Sequence, residues 1–324
     1  VKDPILKAER AAIQSAYLKW SKVLAERIQN KKIRENILQA LPFWLAALIT
    51  GIIAVLYTKL FTYCGELCFS IIEDRRWLLF VLTPTLFVLA WWVVKRFDQK
   101  AGGSGIPQVM AAVELSTPKY NYLVDTFLSV KTVLVKIIST LLMILGGGAI
   151  GREGPTVQIA GSIFRTVNNL LPASWPKISK SNMIMTGAAA GLAAAFNTPL
   201  GGIVFAIEEL AKTHISYFKT ALFTGVILAG VTAEGFLGPY LYLGYPKIDN
   251  ISFSMVFPVL AVACAAGFLA SGTSVAILRI LRWKRTLKND GFHLLYVAGC
   301  GIVVATVAYF FGNGILGSGK ELMG

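Results

Sequence analysis

Three stretches of the chain hold residues whose types and spacing expose backbone for chemistry. They are Gly103-Ser104-Gly105-Ile106-Pro107, Gly151-Arg152-Glu153-Gly154-Pro155, and the run from Gly187 to Leu210, GAAAGLAAAFNTPLGGIVFAIEEL. In the first two, glycines permit tight turns and a proline sits where a helix can begin, since proline is favoured at the first helical position. A helix start points unpaired N–H groups and partial positive charge at whatever lies in front of it, which makes an anion site without a full positive charge. Such a site is worth roughly 0.3–1 kcal/mol per helix at exposed positions and up to ~2 kcal/mol when partly buried. Weak holding suits an anion that has to leave again. Glu153 lies inside the second turn, where an ionised carboxylate competes with an anion and a protonated one releases the position. Its structural alternative is an acid paired with the adjacent Arg152. Glu208 and Glu209 close the charge-free run Ser181 to Ile207, and by themselves read as a helix end at the cytoplasmic surface.

The elements that position these turns are apolar helices. The 324 residues are 55% hydrophobic and only 15% charged, with a mean hydropathy of +0.64, too apolar for an ordinary soluble domain. Charge-free runs occupy 36–58, 77–94, 137–151, 181–207, 220–233, 251–278 and 292–319. Several are long enough for the ~20 helical residues that cross a hydrocarbon core. The Gly and Pro clusters at 102–107, 146–155 and 195–202 fall inside or beside these runs, so helices broken at membrane depth are expected. Freed backbone cannot face lipid and survives only against protein or a water-filled cavity, a pattern typical of transporters.

Charge completes the layout. Ile13, Tyr17, Trp20, Leu24 and Ile28 share one helical face, with Lys and Arg on the other, which predicts a cytoplasmic amphipathic helix over residues 1–36. A first transmembrane repeat over 37–240 and the start of a second, inverted one over 241–324 follow from the loops. The stretch Lys59 to Arg76 sums to zero and is read as an external loop, whereas Arg279 to Asp290 is strongly basic and reads as internal. Ile37 and Gly103 are 66 positions apart, as are Ile251 and Gly317, where a second Gly-Ser-Gly begins.

Rival chemistries have weaker support. The net charge of +14 punctuates apolar runs instead of forming a patch, so nucleic acid is not an expected partner. Gly314 to Lys320 fits a phosphate-binding loop, but Glu321 replaces the hydroxyl that would hold magnesium, and almost no chain follows for a nucleotide fold. His214 and His293 have no metal spacing, and no histidine is placed by sequence to activate Ser104 as a nucleophile. Cys64, Cys68, Cys264 and Cys300 form neither a zinc-site nor a redox pattern. Neither enzymatic catalysis, a metal nor a cofactor is expected.

Taken together, GSGIP, then GREGPTVQ, then GAAAGLAAAFNTPLGGIVFAIEE resemble, in order and spacing, the CLC family of chloride channels and chloride/proton antiporters. The resemblance covers the chain from about Ile37 onward. It implies an all-α, multi-pass fold of inverted repeats, assembled as a homodimer in a plasma or inner membrane with a cytoplasmic N-terminus. By the same resemblance Ser104 contacts the central anion, framed by Gly105 and Ile106. Arg152, Glu153 and Gly154 form the loop that holds the external anion, and Glu153 is the gating glutamate that exchanges with chloride and carries the proton. Glu209 matches the internal proton-transfer acid that antiporters keep and channels usually lack, which favours exchange over a voltage- or pH-gated passive channel. Ser104 argues against nitrate-preferring and fluoride-exporting variants. Lys136 resembles a basic residue near the pathway, and Gln108 stands where many members have Glu. The second-half G-x-F-x-P loop and the C-terminal tyrosine of the family do not occur here, so residues 1–324 alone are expected not to transport.

Overall fold

The computed structural model describes residues 11–12, 14–19, 23, 30–73, 75–172, 174–176, 178–210, 219–238, 255–287 and 289–317, and among these there is helix and no strand. Besides the helical residues 11–12, 14–19 and 23, eleven α-helices occur among the described residues: α1 (Lys31–Glu73), α2 (Leu79–Phe97), α3 (Ile106–Glu114), α4 (Asn121–Phe127), α5 (Val130–Leu145), α6 (Glu153–Leu170), α7 (Lys180–Phe196), α8 (Pro199–Phe205), α9 (Lys219–Leu237), α10 (Val256–Thr286) and α11 (Asp290–Phe311). Six helical stretches among the described residues are long and apolar enough to cross a membrane: Ile33–Glu73, Arg76–Phe97, Asn121–Leu145, Thr220–Leu237, Val256–Thr286 and Asp290–Phe311.

The centre of the bundle is the pair α6 and α7, whose middles are buried almost without interruption. Their axes approach closely because α7 presents glycines to α6. A Cβ on Gly191 would lie 2.6 Å from that of Ala160 and 2.9 Å from the Thr156 carbonyl oxygen, and one on Gly187 would lie 2.9 Å from Phe164 Cβ. Between membrane helices, where lipid is as apolar as leucine, such small-residue contacts supply van der Waals attraction that burial alone does not. Helix α1 packs on both members of this pair, and α9 packs on α7 and on α1. Phe43, Ala46, Ala47, Tyr57 and Ala229 join Phe164, Met183 and Ala190 in the largest apolar cluster.

The break after α7 falls where Asn197 takes the left-handed conformation (φ 52°, ψ 40°) that asparagine tolerates. Thr198 then caps α8, its hydroxyl accepting from the Gly201 N–H at 3.3 Å. α8 runs into a wide π-turn over Ala206–Leu210.

One expectation is overturned. Lys59 to Glu73 continues α1 as helix and is not a loop. Lys59, Glu66 and Glu73 recur every seven residues on an exposed face, while Phe61, Cys68 and Ile72 are buried on another. The charges that end the hydropathy run therefore lie along one stripe of a continuing helix.

α2 and α11 pack antiparallel. Phe80 meets Tyr309 with ring centroids 5.6 Å apart near one end, and Lys95 pairs with Asp290 near the other. α10 buries none of its residues among those described. In the amphipathic N-terminal segment, Ile13, Trp20, Leu24 and Ile28 lie outside the described residues. Tyr17 is described, and it packs edge-on against Trp175, whose indole N–H donates to the Leu38 carbonyl at 3.0 Å.

Candidate functional site

The first glycine turn connects a 3₁₀ turn over Gln99–Ala101 to α3. Gly103 and Gly105 adopt φ of +79° and +111°, a region L side chains rarely enter, so the turn depends on glycine at both positions. Helix α3 begins at Ile106, with Pro107 in its first turn, where a missing N–H removes no helical hydrogen bond. The turn is fastened at three backbone groups that flank Ser104. Gln108 Nε2 donates to the Gly102 carbonyl at 2.5 Å, buried Lys136 Nζ donates to the Gly103 carbonyl at 2.8 Å, and the Gly105 N–H donates to Gln108 Oε1 at 3.1 Å. Ser104 remains exposed at the apex.

The second turn follows α5 through Gly146, Gly147 and Gly148. Gly147 has φ +74°, and its carbonyl accepts from the Gly317 N–H at 3.3 Å. Arg152 caps α6 and Glu153 is its first residue, partly exposed, so the carboxylate stands at the positive end of the helix. Pro155 is third in the helix, still within the first turn.

The two turns, some fifty positions apart in sequence, are pressed together. A Cβ on Gly154 would meet Ser104 Oγ and lie 2.7 Å from the Ser104 carbonyl oxygen, and one on Gly105 would lie 2.7 Å from the Gly154 carbonyl and 2.9 Å from Gln158 Cβ. The serine hydroxyl therefore sits against the N-terminal turn of α6. The structure brings Ser104, Gly105 and Gly154 to one place, with Ile106 opening α3 beside them; Glu153 precedes Gly154 in the chain, and its carboxylate is folded back against Gly151. Arg152 turns toward a small cavity it lines with Asn197, Ala233 and Glu234. Glu209 is elsewhere. It is exposed in the π-turn, beyond α8 from Asn197, on the order of 15 Å along a helical path.

Three residues at this site were not singled out for it by sequence. Gln108 stands out in the sequence only as a departure from the family pattern. Gln158 is buried and donates to the Lys100 and Phe127 carbonyls at 3.2 and 3.1 Å, with its Oε1 close to Gly105 and without a hydrogen bond. Tyr57, on α1, is buried with its hydroxyl near Thr140, Arg152 and Glu153 but without a well-formed hydrogen bond. The available signal was a hydroxyl within the charge-free run 36–58, which it shares with Thr50 and Thr58. Lys136 also has Asp98 near it, whose Oδ2 accepts from Thr132 Oγ1 at 2.5 Å. Among the described residues no cluster of His, Cys, Asp or Glu is arranged to hold a metal ion. His214 and residues 318–320 of the phosphate-loop-like segment lie outside the described residues, whereas Leu316 of that segment is buried.

Broken helices meeting at their N-termini inside an apolar bundle define a multi-pass membrane protein with a polar site between helix ends. Comparison with known proteins makes this specific: the family profile described as Voltage gated chloride channel matches residues 85–324, and the chain belongs to that family. It is 32% identical over 241 residues to the H(+)/Cl(-) exchange transporter ClcA of Citrobacter koseri, covering 71% of this chain and 49% of that protein. To the ClcA of Klebsiella pneumoniae strain 342 it is 33% identical over 205 residues, covering 62% and 41%. The chain thus spans about half the length of the curated relatives it matches. In fold it is similar to a slow cyanobacterial Cl-/H+ antiporter (TM-score 0.72, 21% identity, covering 88% of this chain and 66% of that one). It is also similar to a CLC-type fluoride/proton antiporter (TM-score 0.67, 19% identity, covering 88% and 68%).

Proposed function

We propose that the protein exchanges chloride for protons across its membrane. The observation that carries this reading is the contact between the Ser104 turn and the first turn of α6, which puts a hydroxyl, two helix N-termini and an acid within one site. Chloride, stripped of part of its water, takes hydrogen bonds from Ser104 Oγ and from backbone N–H groups at the starts of α3 and α6, including those of Ile106 and Gly154. Neutral dipoles hold it without the strength of a buried full charge. Arg152 adds positive potential at the outer side, and Lys136 adds it from behind while holding the Gly103 carbonyl. Glu153 as carboxylate occupies the anion position, and once protonated it leaves and carries the proton. Glu209 delivers protons from the cytoplasmic side. The names of the curated relatives support this reading.

The same reading places the N-terminus in the cytoplasm and assembles the protein as a homodimer with one pathway per subunit. An inverted second repeat beginning near residue 241 is supported by matching element order. A long helix, a second membrane-length helix and a 3₁₀ turn occur as α1, α2 and Gln99–Ala101, and again as α10, α11 and Asn313–Ile315. The antiparallel packing of α2 on α11 is what inversion requires. Glu153→Gln tests the central role: in liposomes containing the full-length protein, chloride flux persists and proton coupling disappears. Coupled proton movement retained by the variant would refute Glu153 as the carrier.

A further inference from the structure

The Ser104 turn is held by a side chain that donates and accepts at once. Gln108 is the third residue of α3, where both Glu and Gln can reach back to the helix cap. Its amide oxygen accepts from the Gly105 N–H at 3.1 Å, and its amide nitrogen donates to the Gly102 carbonyl at 2.5 Å. The two partners fix which atom is which, because a backbone N–H needs an acceptor and a carbonyl needs a donor. An ionised carboxylate accepts only. In this place it would face the Gly102 carbonyl with no proton to share, and would add a full negative charge at a helix start that the proposed function assigns to an anion.

We propose that Gln108 is a positioning residue that clamps the Ser104 turn without charge, so that the anion affinity of the turn does not depend on pH. Lys136 on Gly103 and Gln108 on Gly102 and Gly105 together fix the backbone on either side of Ser104. This leaves the serine hydroxyl presented toward the start of α6. The inference rests on the turn being an anion site.

The test is chloride binding by isothermal titration calorimetry to the full-length protein, in a Glu153→Gln background that removes the gating acid's own titration. The other charged groups near the turn or on elements packed against it are unchanged across the comparison. They are Asp98 and Lys100 before the turn, Glu114 on α3, Asp125 on α4, Lys136 on α5, Arg152 and Arg165 on α6, and Lys180 on α7. In that background Gln108→Glu is expected to weaken chloride about tenfold at about pH 7.5, where the carboxyl is ionised, and to recover most of the affinity at about pH 3.5, below the ordinary glutamate value of about 4.3, where it donates as the amide does. Gln108→Leu is expected to lose about fivefold at both values, having neither donor nor acceptor. Equal affinity and an equal pH profile for Gln108→Glu and its parent would overturn the inference, as would full affinity in Gln108→Leu. Absence of chloride binding in the Glu153→Gln parent itself would instead overturn the anion-site reading.

Discussion

Replacing Gly154 with alanine adds one methyl group at the seam between the two turns. Its Cβ would press on Ser104 Oγ and sit 2.7 Å from the Ser104 carbonyl oxygen and 3.2 Å from the carbonyl carbon. The hydroxyl rotates away at small cost, but the carbonyl belongs to a backbone fastened on both sides by Gln108 and Lys136. Reaching ordinary contact, which begins at 3.4 Å, requires the turns to part by about 0.7 Å, an overpacking that costs about 1–3 kcal/mol. Alanine's better helix propensity offsets under about 1 kcal/mol of this, so the fold survives with a net loss of about 0–3 kcal/mol. Chloride binding suffers more, because donors displaced by several tenths of an ångström no longer converge on one ion. The expected drop is about tenfold in affinity, read by calorimetry on the full-length protein. Gly161→Ala, two turns along the same helix, is the control. There the new Cβ meets Val109 at 3.4 Å and Leu128 at 3.6 Å, ordinary contacts, so chloride affinity is unchanged and stability holds or rises by up to about 1 kcal/mol. Wild-type affinity in folded Gly154→Ala, or an equal loss in Gly161→Ala, would refute the reasoning.

Glu209→Val is expected to abolish proton coupling while chloride flux continues in liposomes; unchanged coupling would make Glu209 only a helix end. Lys136→Met leaves the Gly103 carbonyl unbonded and Asp98 without its nearby ammonium, and should lower stability by about 1–3 kcal/mol. A thermal melt in detergent that matches wild type would contradict the clamp. Gly191→Leu forces α7 off α6 at a point where even a Cβ would lie 2.6 Å from Ala160 Cβ. The yield of folded, monodisperse protein on size-exclusion chromatography should fall severely, and a normal yield would show that the helix pair is not held as tightly as described.

Much of the site was legible because its chemistry is written in glycine and proline. The positive φ of Gly103 and Gly105 and the helix starts at Ile106 and Glu153 follow from residue type and position. That these turns touch was not legible, since it depends on α3 packing beside α6, and neither helix encodes its neighbour. The same applies to Lys136 and Tyr57, whose sequence neighbours say nothing about the carbonyl or the acid they approach. Hydropathy ended the first span at Lys59 because a window averages around the helix. The exposed stripe of Lys59, Glu66 and Glu73 and the buried Phe61, Cys68 and Ile72 were there to be read by periodicity. Helix α6 falls outside the charge-free runs for a related reason: protein encloses it, so its small and polar residues face helices instead of lipid.

The most direct test of the central claim is a recording of chloride and external pH together, from liposomes containing the full-length protein under an imposed chloride gradient. Chloride-driven proton movement against the proton gradient is the predicted result. Chloride flux with no proton movement would contradict exchange and leave a passive chloride pathway.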